Sequence, residues 1–264
     1  MPRNSLKSIS KLIDRANSKL SVEEMFLSDL ERSIEIDDSK ASRKPSQTYK
    51  PSSLRCVRNM YYQVIGAEPD EVKSNYCSVG ICNSGTDIHI RVQTAVDNMK
   101  RNGFECEYTD VAKYVKQMQL EDLEIVSQSG METKLYHKKL NMSFLCDGIV
   151  RYKNHYYILE LKTETSFKWA QRKAVDPAHY DQGTAYSIMF NIPEVLFIYI
   201  SRDILDMKAY MFRPTEEMKK NLLDRIEACD MWVAKNEVPN KPEDIDRKMC
   251  NYCSYKNRCA TDIV

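Results

Sequence analysis

Residues 146–165, CDGIVRYKNHYYILELKTET, carry three ionisable side chains, Asp147, Glu160 and Lys162, in runs otherwise made of strand-forming residues. Side chains alternate faces along a strand, so Glu160 and Lys162 share one face while Leu159 and Leu161 take the other. The runs 142–152 and 156–162 flank the turn Lys153-Asn154-His155, which predicts a hairpin with Asp147 within reach of Glu160. Two carboxylates converging on one spot repel each other, and a divalent cation resolves the repulsion. Oxygen ligands of this kind suit Mg²⁺ or Mn²⁺. A lysine two residues on can hold a water whose pKa the metal lowers, which is the chemistry of phosphodiester hydrolysis. The same residues also fit a hairpin with solvated charges, and Asp plus Glu-x-Lys is too short a motif to choose between the two.

Other residues stand in a suggestive order around this stretch. Gly85-Thr86-Asp87-Ile88-His89 places a histidine early on an expected helix, and Gln182 and Tyr186 lie four apart on one face of another. A lone histidine serves structure as readily as ligation; the order and spacing of the set carry the weight. Among nine cysteines, Cys250-x2-Cys253-x5-Cys259 offers three thiols at ligand-like spacing. An odd count without a secretory signal argues against a disulfide scaffold and for Zn²⁺ or an iron–sulfur cluster. The fourth ligand could come from Cys56, Cys77, Cys82, Cys106, Cys146 or Cys229. Cys77 and Cys82 form a C-x4-C pair in an expected loop, whereas Cys106, Cys146 and Cys229 read as small core residues.

The elements that must position these groups are legible from periodicity. Leu6, Ile9, Ile13, Ala16 and Leu20 share one face of a helix over 4–20, and Ser21-Val22-Glu23-Glu24 opens a second as a capping box. Residues 37–52 are polar and proline-punctuated, predicting a linker. The expected organisation is a helical extension and linker over 1–48 and a catalytic domain over 49–264. Further helices are expected from Ser53 to Gly66, Thr86 to Met99, Pro177 to Phe190 and over 215–235. VLFIYIS (195–201) reads as a buried strand and 207–213 as its partner. The class is α/β, a mixed central sheet flanked by helices.

Hydrophobic residues at 42%, charged residues at 29% and a net charge of +1 describe an ordinary globular chain. They exclude a histone-like or tail-driven nucleic-acid binder, so any DNA contact must be a local patch. No apolar run approaches the ~18 residues that span a bilayer, so no membrane role is expected. The first twenty residues lack a signal peptide's apolar core. The expected setting is cytoplasmic, in a bacterial, archaeal or phage-infected host cell. No G-x4-G-K-[ST] motor motif occurs.

His89, Asp147, Glu160-Leu161-Lys162 and Gln182-x3-Tyr186 resemble, in order and spacing, the motifs of the RecB-like branch of the PD-(D/E)xK nuclease family. Ser53-Leu54-Arg55-Cys56-x-Arg58-x2-Tyr61-Tyr62 resembles the segment bearing the first cysteine in that family's iron–sulfur members, which include the AddB nuclease domain and the CRISPR-associated spacer-acquisition nucleases. The resemblance spans roughly residues 50–260. It implies a restriction-endonuclease-like core. It implies a catalytic metal on His89, Asp147, Glu160 and the Leu161 carbonyl, with Lys162 acting on the water and Gln182 and Tyr186 steadying the site. It further implies a [4Fe–4S] cluster on Cys56, Cys250, Cys253 and Cys259. The implied activity is that of an exonuclease on single-stranded or duplex DNA ends in recombination, repair or phage/CRISPR processing, with a helicase or recombination partner in trans. Arg55, Arg58, Lys168, Trp169 and Arg172 are candidate DNA contacts, against the reading of a solvated amphipathic helix. Some members carry a glutamate where this chain has Gln93, so that glutamate's role does not carry over. The rival readings are a non-cleaving DNA-binding or assembly subunit and a zinc-stabilised interaction module.

Overall fold

The computed structural model describes residues 21–40, 45–70, 75–242 and 247–262. The helices are α1 (Val22–Lys40), α2 (Val57–Val64), α3 (Tyr76–Arg101), α4 (Val111–Gln117), α5 (Ser166–Gln171), α6 (Tyr180–Phe190), α7 (Glu216–Lys235), α8 (Arg247–Cys250) and α9 (Lys256–Thr261). A five-stranded sheet holds, in spatial order, β1 (Cys106–Thr109), β5 (Gly148–Tyr152), β6 (His155–Glu164), β7 (Val195–Ser201) and β8 (Met207–Phe212). Its neighbours are antiparallel except β6 and β7, which run parallel. That pair requires a crossover, which α5, a 3-10 turn at Pro177–His179 and α6 supply. An antiparallel sheet holds β2 (Leu123–Ser129), β3 (Glu132–His137) and β4 (Met142–Cys146). The fold is α/β with a mixed central sheet, as expected.

The chain divides into two compact units. Among the described residues, the smaller contains α1 and the start of α3 as far as Cys82, and the larger contains the rest. The expected helix over 4–20 lies outside the described residues. The capping box holds: Ser21 N–H donates to Glu24 Oε2 at 2.9 Å and Glu24 N–H to Ser21 Oγ at 3.3 Å. Within the larger unit, alternation along β6 divides the sheet faces. Ile158 joins a core with Phe197, Ala185 and Phe190, whereas Leu159 and Leu161 pack with Val150, Cys106 and Ile88 of α3.

Four expectations need correction. The run 142–152 is two strands in two different sheets, broken at Asp147. Beyond Gly148↔Leu159, β5 stops pairing with β6 because the chain leaves for the other sheet. Of the stretch 37–52, residues 37–40 extend α1 and Tyr49 is fully buried, while residues 41–44 lie outside the described residues. Tyr49 accepts at its carbonyl from Ser143 N–H, donates its N–H to Asn141 O, and donates its hydroxyl to Asp230 Oδ1 at 2.6 Å. The helix expected from Thr86 begins at Tyr76, so Cys77 and Cys82 are helical and exposed, not looped. Five residues apart on a helix, they point about 140° from one another and cannot bind one ion side by side. The helix expected over 53–66 is a 3-10 turn at Pro51–Ser53 followed by α2, with Gly66 past its end at φ +67°. The β5–β6 turn is the two residues Lys153 and Asn154, at φ +48° and +67°, the geometry of a type I′ hairpin.

Candidate active site

Asp147 sits at the point where β4 and β5 part. Its Oδ2 accepts the Leu161 N–H at 2.7 Å, filling the place of a ladder partner that β5 no longer provides. Its Oδ1 lies 3.4 Å from Nδ1 of His89 on α3. Burial pulls the His89 imidazole toward neutrality, but Asp147 and then Glu160 outweigh it and raise its pKa. Gly85, one turn before His89 on α3, comes close to β6: a Cβ there would meet Thr163 Oγ1 at 3.3 Å. The small residue lets the helix approach the strand.

Glu160 is 4% exposed, and its Oε1 takes two donors, Lys162 Nζ at 2.7 Å and Gln182 Nε2 at 2.7 Å. Burial drives its carboxyl up to about 7, against the pull of the Lys162 ammonium and with a further push from Asp147. Lys162 Nζ also donates to Gln182 Oε1 at 2.9 Å, so lysine, glutamate and glutamine close a ring of hydrogen bonds. Gln182 Nε2 reaches Tyr186 OH at 3.0 Å, and that hydroxyl donates to Leu145 O at 3.2 Å. The i, i+4 spacing on α6 thus becomes a relay from the β6 carboxylate to the end of β4. Gly183 permits it, since a Cβ there would stand 2.8 Å from the Phe212 ring.

The structure therefore brings His89, Asp147, Leu161, Glu160, Lys162, Gln182 and Tyr186 into one connected set. An imidazole with two carboxylates is a donor set that suits Mg²⁺ or Mn²⁺. Among the described residues, however, no three His, Cys, Asp or Glu side chains stand arranged as a ready metal site. Glu160 Oε1 explains part of this, because the Lys162 ammonium and the Gln182 amide already occupy it.

Sequence reasoning overlooked a second layer. Gln93 is fully buried and its Nε2 donates to the Asp147 carbonyl at 2.7 Å; the Tyr108 hydroxyl donates to the same oxygen at 2.6 Å. His179 stacks on Phe197 and Tyr199, its Nδ1 2.8 Å from the Tyr199 hydroxyl. Burial, then the charge of Lys162, pushes its pKa down to about 3. Gln93, one helical turn after His89, was the one available signal; nothing in the short CEYT strand marks Tyr108.

The candidate DNA contacts fare differently. Arg58 is 2% exposed and spends its guanidinium on Pro239 O, Cys259 O and Cys259 Sγ. Arg172 is partly buried, with both Glu164 oxygens and Asp176 Oδ2 within 2.9 Å. Both guanidinium groups are thus engaged within the fold and not presented as free phosphate contacts. Trp169 donates its indole N–H to Tyr199 O and lies beneath Lys208 Nζ, 4.1 Å from its ring centre. Lys168 remains half exposed, 3.1 Å from Asp176. Arg55 lines a cleft of about 440 Å³ with Tyr180, Met218 and Arg225.

Cys56 caps the start of α2, Cys250 ends α8 and Cys259 lies in α9. Burial raises the thiol pKa of Cys56 and of Cys253; Cys253 and Cys259 act electrostatically on Cys56, and Cys259 and Cys250 on Cys253. N–H donors surround these sulfurs: Asn59 Nδ2 lies 3.4 Å from Cys253 Sγ, Tyr255 N 3.4 Å from the same sulfur, and Arg58 Nη1 3.5 Å from Cys259 Sγ. The four thiols share a neighbourhood between α2 and the C-terminal segment without converging as ligands. Cys106 and Cys146 are buried elsewhere in the core, whereas Cys229 is buried beside the start of α2, its Sγ 3.8 Å from Val57 O and within electrostatic reach of Cys56.

No protein-family profile matches the chain, and no curated protein sequence does. The crystal structure of SSO0001 is similar, with 17% identity and a TM-score of 0.50 over 90% of this chain and 98% of that one. At that identity the likeness concerns the α/β fold alone. Among the described residues, no helix is long and apolar enough to cross a membrane.

Proposed function

We propose that this chain is a Mg²⁺- or Mn²⁺-dependent DNA nuclease of the RecB-like, iron–sulfur-containing PD-(D/E)xK type. The observation that carries the proposal is the connected set His89–Asp147–Leu161 and Glu160–Lys162–Gln182, drawn from α3, the β4–β5 break, β6 and α6. A solvated hairpin would leave these charges in water, but Asp147 and Glu160 are 9% and 4% exposed. Ionisable groups buried side by side, with the pKa values of His89 and Glu160 both raised, are a mark of function. Bound there, a divalent cation would lower the pKa of a water and offset charge on the scissile phosphate. His89, Asp147 and Glu160 would hold it, with the Leu161 carbonyl. Lys162 would leave Glu160 to orient the attacking water, and Gln182 would keep the lysine in place when that contact opens. Cys56, Cys250, Cys253 and Cys259 would hold a [4Fe–4S] cluster as a staple, their N–H donors suiting bound thiolate sulfur. Thiolate clusters of this kind favour a reducing cytosol. DNA ends, single-stranded first, are the proposed substrate, with any motor supplied in trans.

End-labelled single- and double-stranded DNA, digested with Mg²⁺ and with Mn²⁺, tests the proposal. Cleavage that disappears in Asp147→Ala and Lys162→Ala, both still folded by circular dichroism, is the expected result. Undiminished cleavage by either variant refutes the site, and no cleavage by the reconstituted wild type favours a non-cleaving DNA-binding subunit.

A further inference from the structure

Asp147 is held at both ends, and only one end belongs to the chemistry proposed above. Its carboxylate rests on the Leu161 amide and faces His89. Its backbone carbonyl accepts two hydrogen bonds, from Gln93 Nε2 at 2.7 Å and Tyr108 OH at 2.6 Å. A carbonyl oxygen has two lone pairs, so two short donors saturate it and fix the plane of the 147–148 peptide. The two donors come from different elements. Gln93 lies one turn after His89 on the same face of α3, so a single helix contacts the Asp147 carboxylate with one residue and its carbonyl with the next. Tyr108 reaches in from the edge strand β1, and its hydroxyl also lies 3.1 Å from Met131 O. Gly148 leaves room for the tyrosine, since a Cβ there would lie 2.6 Å from its ring.

The cost of this arrangement shows that it is specific. Gln93 is fully buried, yet its Oε1 has no hydrogen-bond partner among the described residues. An unmet buried acceptor destabilises the fold, and an apolar side chain of the same length would avoid that cost. The donor half of the amide must supply something that packing does not.

We propose that Gln93 and Tyr108 are positioning residues: together they clamp the Asp147 carbonyl where β4 and β5 diverge, and so aim its carboxylate at the Leu161 amide and at the space shared with His89. Without the clamp, the peptide at the break between two sheets has no ladder to hold it, and the carboxylate direction relaxes. The inference about metal affinity rests on the nuclease reading; the inference about Asp147 orientation does not.

Gln93→Met keeps length and removes the donor, and Tyr108→Phe keeps the ring and removes the hydroxyl. Two measurements on metal-free and Mn²⁺-titrated protein decide the matter. The first is hydrogen exchange at the Leu161 amide by NMR, which needs no metal. Exchange about tenfold faster in each variant, with neighbouring β6 amides unchanged, is the expected result. The second is Mn²⁺ binding followed by electron paramagnetic resonance, where each variant should bind about 10- to 100-fold more weakly, as second-layer changes around ligands do. Leu161 exchange at the wild-type rate in either folded variant overturns the clamp. A wild type that takes up no Mn²⁺, with Leu161 exchange still accelerated in both variants, supports the clamp and sinks the metal reading instead. If one variant does not fold, the other decides by the same exchange readout.

Discussion

Glu160 and Lys162 are the residues on which the candidate chemistry turns, because each already satisfies the other. The ammonium at 2.7 Å stands in electrostatically for a cation, and Gln182 bonds both partners at once. Removing that amide by Gln182→Ala should leave Glu160 and Lys162 paired but unanchored. We expect kcat to fall about 10- to 100-fold with little change in KM for DNA, as for other groups that orient ligands. Steady-state kinetics check this; an equal rise in KM would instead mark Gln182 as a DNA contact. A neighbouring residue gives the pH test. Tyr199 and Phe197 lie on the flanks of His179, with Asp176, Lys168, Arg172 and Lys162 nearby. Its folded pKa is depressed to about 3 from 6.5, so the folded state binds fewer protons than the unfolded one between those values. The stability this group contributes is therefore present above pH 6.5 and lost as pH falls toward 3. His179→Asn should narrow its deficit against wild type in melts run from pH 7 down to 4; a constant deficit would contradict the assignment.

At the scale of elements, the strand bearing Glu160 and Lys162 and its parallel neighbour were legible because β6 and β7 are long, apolar and bounded by turn residues. So were α6 and α7, whose ends carry Pro177 and Thr215. The small elements were not. β2 reads LEIVSQS, is mostly exposed, and shifts register between Ile125 and Ser127, so it shows no clean alternation. β1 has four residues. The break at Asp147 was invisible too, since MSFLC and GIVRY form one continuous β-rich run, and only tertiary pairing sends them to different sheets. The same limit applied to Arg172, whose place in a polar stretch suggested solvent although Glu164 and Asp176 enclose it. Arg172→Ala would leave the buried Glu164 carboxylate with only the half-exposed Lys168 ammonium, 3.7 Å away, as a charged partner, and breaking such a buried pair costs up to about 3–5 kcal/mol. Urea unfolding should show that loss. Gly183→Ala should cost about 1–3 kcal/mol through overpacking against Phe212, which stands 2.8 Å from the new methyl. A loss below half a kcal/mol in either variant would mean the neighbourhood relaxes more freely than its packing suggests.

For the whole molecule, the decisive link is the one between α2 and the tail. Arg58 bonds Cys259 across 201 residues of sequence, Tyr62 OH meets Asp262 at 2.7 Å, and Arg58 also holds Pro239. These contacts bring the chain's far segment back to its early helix without any covalent tie. A cluster joining Cys56 to Cys250, Cys253 and Cys259 would close a loop of about two hundred residues, and the chain-entropy relation gives about 5 kcal/mol for closing one that long. In a chain of this size each kcal/mol moves Tm by roughly 2–4 °C. Cys253→Ser, purified without oxygen, should therefore melt roughly 10–20 °C lower than wild type and lose the visible absorbance of an iron–sulfur protein. Cys77→Ser, on an exposed helix, is the control and should change neither. A zinc staple predicts the same loss of stability from a colourless protein, so metal analysis beside the melting curve separates the two. A Cys253→Ser protein with wild-type Tm would show that the polar contacts around Arg58 hold the tail by themselves. The four thiols would then be neighbours by packing, and the cluster reading would fall while the candidate site on β6 stood untouched.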